Sequence, residues 1–220
     1  MSKRCSVVYQ NLSDNDVSDV LVLLRNTRAS AAMAPPIAWQ VLRAGHRSFH
    51  KFVHTTETQV KITTDAGILM ADAQERAIYA VKERGGQSVL VRTGVTVPNE
   101  TIVLNDLRSP IDVTLYRDGR AVMMQHAVPA GEQAEFGLES TIWVALANDI
   151  VEGEPLMRDV ISGKFTPIDL TGLSSLTFGL YGSRDQCYSF KTISKTIEAP
   201  DYFFARRRVT MPRTAFGISQ

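Results

Sequence analysis

The sequence predicts an all-β fold, an antiparallel β-sandwich built from two related halves with at most one or two short helices. Three observations carry this. Between Thr101 and Asp149, apolar and polar residues alternate with the period of two that a half-buried strand requires. Short β-prone runs recur along the chain, separated by Gly, Pro, Asn, Asp or Ser. The N-terminal stretch also echoes the middle of the chain. Val7 and Val8 fall on Ile102 and Val103, Leu12 on Leu107, Asp19-Val20 on Asp112-Val113, and Ala44-Gly45 near Ala130-Gly131. This echo suggests halves over 6–97 and 100–198 within one domain spanning 1–198. Either half alone would leave an apolar sheet face uncovered, so a shared core is expected.

Taken in order, residues 6–24 give a β-prone run, a polar turn from Asn11 to Asp16, and a second apolar run at Val20–Leu24. Pro35-Pro36 ends any helical turn begun at Ala29 and marks a surface loop. Ile37, Trp39 and Val41 then alternate as in a strand carrying a large aromatic. The stretch from Gly45 to Ile62 reads as strand or loop, with His46, His50 and His54 on its wet face. Residues 71–84 are the best helix candidate, with Ala71, Ala77 and Ala80 as helix formers and Gly85-Gly86 as the stop; 76–81 also fits a strand. Ile111, Val113 and Leu115 share one strand face, Asp118-Gly119 predicts a tight hairpin, and Val122, Met124, His126 and Val128 share a face of the return strand. Pro129–Glu132 turns the chain into two more strands, so the region reads as a meander. Further β-prone runs follow at 160–165, 176–181 and 188–193.

Charge and composition narrow the function. Lys plus Arg number 24 against 23 for Asp plus Glu, so no global field points to nucleic acid or lipid, and a charged partner requires a local patch. With only Cys5 and Cys187, the chain does not rely on disulfides, and both thiols are expected reduced. The N-terminus has Lys3 and Arg4 but no signal-peptide apolar core, and no run approaches the roughly 20 apolar residues of a membrane span; a cytoplasmic address is the expectation.

Catalytic signatures are absent from the sequence: it holds no G-x-S-x-G, Walker loop, C-x-x-C or H-E-x-x-H. Three histidines at intervals of four would gather round zinc on a helix. On a strand, neighbours in that series sit about 13 Å apart. Asp149, Glu152 and Glu154 read as a solvated loop, and Cys187 as structural. No catalytic residue, metal or cofactor is assigned. The segment 199–220 differs, because Tyr202, Phe203 and Phe204 precede Arg206, Arg207, Arg208 and Arg213. Such residue types favour partner binding. The expected function is therefore a non-enzymatic binding or structural protein that self-associates into an oligomer through sheet edges or through this segment. Binding to an anionic membrane surface is the alternative, a small-ligand carrier or enzyme using Met123, Met124, His126 and Trp143 in a cavity is a third, and nucleic acid ranks lower.

Overall fold

The computed structural model describes residues 4–28, 35–43, 45–73, 76–156 and 161–198, the side chains of 161–163 excepted. Among them are sixteen strands and no helix. In the N-terminal part these are β1 (Arg4–Asn11), β2 (Asp19–Leu23), β3 (Gln40–Leu42), β4 (Phe49–Thr55), β5 (Thr58–Thr64), β6 (Gly67–Ala73), β7 (Ala77–Arg84) and β8 (Gln87–Val95). The C-terminal part contributes β9 (Glu100–Asn105), β10 (Ile111–Arg117), β11 (Arg120–Val128), β12 (Gln133–Gly137), β13 (Thr141–Ala147), β14 (Ile161–Asp169), β15 (Leu173–Ser183) and β16 (Gln186–Ile197).

The strands form four four-stranded sheets, in the orders β16-β15-β1-β4, β12-β9-β7-β8, β11-β10-β5-β6 and β14-β13-β2-β3. Each sheet therefore mixes strands from the N-terminal and C-terminal parts. Pairing is antiparallel except for β1 with β15 and β7 with β9, which run parallel. One arithmetic regularity governs the whole arrangement: adding eight to each strand number, or subtracting it, turns the first sheet into the second and the third into the fourth. Details repeat with the topology. The Leu12 N–H donates to the Leu180 carbonyl, and the Asp106 N–H donates to the Val81 carbonyl, both at 3.0 Å. A bulge interrupts β7–β8 between Ile78 and Tyr79, and another interrupts β15–β16 between Thr177 and Phe178.

Residues from all four sheets meet in one apolar cluster that includes Tyr9, Trp39, Phe52, Leu115, Phe136 and Phe178. A smaller cluster lies on the far side of β13 and β2, where Ala38, Ile150 and Leu156 cover Leu21 and Leu23. There the Arg25 guanidinium stacks 3.7 Å from the Trp143 ring.

Several expectations change. The helix over 71–84 is instead the end of β6 and all of β7, because Tyr79 and Val81 bury against the core while β8 and β9 take up the backbone hydrogen bonds. Tertiary pairing overrides alanine's helical preference. The hairpin at Asp118-Gly119 forms as expected, with both residues at positive φ. The meander stops there. Gly131 N–H donates to the Asn105 carbonyl and Asn105 N–H to the Glu132 carbonyl, so the corner at Pro129–Glu132 is tied to β9 and delivers β12 to a different sheet. On β11 the expected face of Val122, Met124, His126 and Val128 is broken: Val122 and Met123 are both buried while His126 is exposed, because bulges shift the register on either side of Val113–Leu115.

Candidate functional site

The histidines were expected to face solvent, and on β4 the reverse holds for the last of them. Trp39 packs edge-on against Phe52 at 5.7 Å, which fixes Phe52 inward. With a side-chain period of two, His54 follows it into the interior and Phe49 and Val53 are left outside. Each imidazole has its own partner: His46 Nδ1 contacts the Ser13 carbonyl at 2.7 Å, His50 Nε2 contacts the Arg43 carbonyl, and Arg117 Nη1 contacts His54 Nε2 at 3.0 Å. The three rings are thus held apart. Among the described residues no group of three or more His, Cys, Asp or Glu could hold a metal ion.

Cys5 and His54 stand directly opposite each other in the β1–β4 ladder, which places their Cβ atoms about 5 Å apart. They line a cleft of about 60 Å³ with Thr56, Ser140, Leu170 and Glu198. A thiol beside an imidazole suggests nucleophilic catalysis, but the electrostatics oppose it. Burial pushes the Cys5 thiol up. Burial, and then the Arg117 charge, push His54 down to about 3. A reactive thiolate–imidazolium pair needs the opposite shifts. The pair is neutral, and the cleft has room for water rather than for a substrate.

A larger open groove of about 530 Å³ runs beside Thr55, Glu57, Gln59, Asp72, Tyr116 and Asp118. Two of its three carboxylates are already engaged, since Thr55 Oγ1 donates to Asp118 at 2.8 Å and Gln59 Nε2 donates to Asp72 at 3.0 Å. The acidic loop at Asp149–Glu154 is likewise structural. Glu152 accepts from the Val41 N–H and from Arg120 Nε, pinning the loop across β3 and β11. The third candidate cavity does not form from its proposed residues: Met123 is core, Met124 half-buried, His126 exposed beside Asp112, and Trp143 belongs to the smaller cluster. Cys187 is exposed on β16. Tyr202, Phe203, Phe204, Arg206, Arg207, Arg208 and Arg213 lie outside the described residues.

What remains is a surface. On the β16-β15-β1-β4 sheet, Cys5, Val7, Tyr9, Phe52, Leu176, Phe178 and Leu180 point inward. Their alternates therefore form the outer face, where Phe49, Lys51 and Val53 of β4 stand beside Gln10, Val8 and Ser6 of β1. Phe49 is 71% exposed, Val53 44% and Ile193 42%. A Cβ on Gly179 would meet Ile193 Cδ1 at 3.0 Å and Tyr181 at 3.2 Å, which places both of those side chains on this same face. Lys191 Nζ lies 5.5 Å from the Tyr181 ring. Sequence reasoning missed this face, although the charge pattern was there to read: the stretches that become these four strands contain no Asp or Glu. No protein-family model, curated protein or solved structure matches the chain, so the functional reading rests on its own geometry.

Proposed function

We propose that the protein is a non-enzymatic binding protein, a β-sandwich of two related halves, that self-associates through the edge of β16 that no other described strand covers. The relation between the halves is supported by the topological regularity and by the buried residues that repeat with it. The correspondence that fits the pairing sets Val7 with Thr101, Phe52 with Phe136 and Asn11 with Asn105. It lies one residue from the Val7–Ile102 match suggested by sequence, a shift that separates buried from half-buried positions.

The single observation behind self-association is β16 itself. It is twelve residues long, ends the sheet order, and is exposed from Lys191 to Ile197. A long edge with unpaired backbone groups is a template for strand addition. Two such edges meeting antiparallel would continue one sheet into the next. Light scattering on the full chain tests this: a mass above the 24.3 kDa of one chain is expected. Thr192→Lys with Ser194→Lys, which adds to the charge that Lys191 and Lys195 already place on this strand, is expected to return the monomer mass while the monomer still unfolds cooperatively. A monomer for the unsubstituted protein at every concentration overturns the proposal.

A further inference from the structure

The β16-β15-β1-β4 sheet differs in charge from the other three. Its strands carry Arg4, Lys51, Lys191 and Lys195 and no acid, whereas the topologically equivalent β12-β9-β7-β8 sheet balances Lys82, Arg84 and Arg92 against Glu83, Glu100 and Glu135. On the other two sheets acids and bases are likewise mixed, Asp72 and Asp112 with Lys61, Arg117 and Arg120 on one, Asp19 and Asp169 with Lys164 on the other. By register Arg4, Lys51 and Lys191 fall on the outer face, whereas Lys195, opposite the inward Leu176, acts on Asp169; the outer face thus carries three cations and no acid from its own strands, on a chain whose formal net charge is only +1.

The equivalent sheet also serves as an internal control for what the fold requires. Phe49 pairs with Gln10, and at the same level of the other sheet Gln133 pairs with Leu104. Lys51 pairs with Val8 where Glu135 pairs with Ile102. The bulge residue Ile193 answers to Thr93, and Leu12, which is 48% exposed, answers to Asp106. The same architecture is thus built with Gln, Glu, Thr and Asp at positions where this face shows Phe, Lys, Ile and Leu. At the first of these levels the apolar residue changes strand, Phe49 beside Gln10 here and Leu104 beside Gln133 there; what distinguishes this face is that Phe49 is 71% exposed while Leu104 is half-buried, together with Ile193 and Leu12 in place of Thr93 and Asp106. Exposed rings and aliphatic side chains interspersed with lysines are the chemistry of an interfacial surface, with apolar groups entering the headgroup boundary and ammonium groups meeting anionic headgroups.

We propose that the outer face of the β16-β15-β1-β4 sheet docks on an anionic lipid surface, with Phe49, Val53 and Ile193 entering the interface and Lys51 and Lys191 contacting headgroups. Charge selects this occupant over a second copy seated face to face, which would set Lys51 and Lys191 against the same cations. The inference uses the correspondence of the two halves and is independent of self-association through the β16 edge.

Co-sedimentation of the full chain with two vesicle types tests it, one of phosphatidylcholine alone and one of equal parts phosphatidylcholine and phosphatidylserine. Binding to the second alone is expected, and it should weaken as salt rises. Lys51→Gln is expected to lower the partition coefficient about fivefold. Phe49→Gln, which installs the residue found at the equivalent position, is expected to lower it at least ~10-fold. Melting curves verify that both variants fold. Failure to bind either vesicle overturns the proposal, as does equal binding to both. Unchanged binding by Phe49→Gln assigns the contact elsewhere and overturns it too. If Phe49→Gln instead dissociates an oligomer in the absence of vesicles, the occupant is a second copy and the lipid assignment fails. Thr192, opposite the inward-pointing Phe178, lies off this face, so loss of assembly on Thr192→Lys alone, with vesicle binding intact, separates the β16 edge from this face.

Discussion

Replacing Asn105 by Leu is expected to destabilise the protein by about 3 to 5 kcal/mol, a large fraction of the roughly 5 to 15 kcal/mol by which a domain is stable. Asn105 is fully buried. Its Nδ2 donates to the Ser109 and Val128 carbonyls, each at 2.9 Å, and its Oδ1 accepts from the Leu107 N–H at 3.0 Å. One side chain thus satisfies the backbone of the turn that follows β9 and of the end of β11. Leucine fills a similar volume and satisfies none of it. Each buried group left without its partner costs about 1 to 3 kcal/mol. Asn11 does the same work at the end of β1, donating to the Asn15 and Gly45 carbonyls and accepting from the Ser13 N–H. Asn11→Leu should therefore cost a similar amount. Urea midpoints of the two variants check this. A loss below about 1 kcal/mol in either would show that the turn finds other partners.

These asparagines illustrate what the sequence discloses and what it hides. Asn11 reads as an ordinary turn residue, because Asn is common wherever a chain reverses, and no sequence pattern singles out Asn105. That each is buried and bonds to a segment far along the chain depends on sheet pairings that no local pattern states. The hairpin at Asp118-Gly119 was legible because its cause is local: two adjacent residues must accept positive φ. The fate of the next turn was not, since Pro129–Glu132 is equally compatible with continuing a sheet or leaving it, and the hydrogen bonds to Asn105 decide. The stretch 71–84 misleads for a related reason. Its alanines favour helix in isolation, yet Ile78–Ile102 and Val81–Leu90 are cross-strand partners, and burial between two neighbours outweighs the local preference.

The surface proposed to bind was hidden by an inversion of sides. On β4 the alternation of Phe and His allows either Phe49, Lys51 and Val53 or His50, Phe52 and His54 to face the core. Hydrophobicity alone favours neither set. Trp39 decides, packing on Phe52 and His54 and donating from Nε1 to the Arg117 carbonyl at 3.4 Å. Burying His54 gives it an unusual electrostatic position. It also leaves Phe49 outside, where the fold makes no use of it.

Acidification from pH 7 to pH 5 is expected to cost the protein about 2 kcal/mol through His54 alone. The folded-state pKa is pushed down to about 3, first by burial and then by Arg117, whereas the unfolded imidazole titrates near 6.5. Between these values the unfolded chain holds a proton that the folded chain does not. Stability is therefore fully present above about pH 6.5 and falls as pH drops through the window toward 3, by about 1.4 kcal/mol per unit at its steepest. Asp14 and Asp169, both lowered by hydrogen bonding, add their own losses only at more acidic pH, below the ordinary Asp value of 3.8. The window from 7 to 5 thus isolates the histidine among these shifted groups. His54→Gln keeps an acceptor for the Arg117 Nη1 donor and cannot titrate, so its stability should be lower at pH 7 but nearly flat down to pH 5. Urea denaturation at half-unit pH steps reads both slopes. If the variant retained the slope of the unsubstituted protein, the pH dependence would belong to another group, and His54 would not be the buried neutral imidazole that its contacts with Arg117 and Trp39 require.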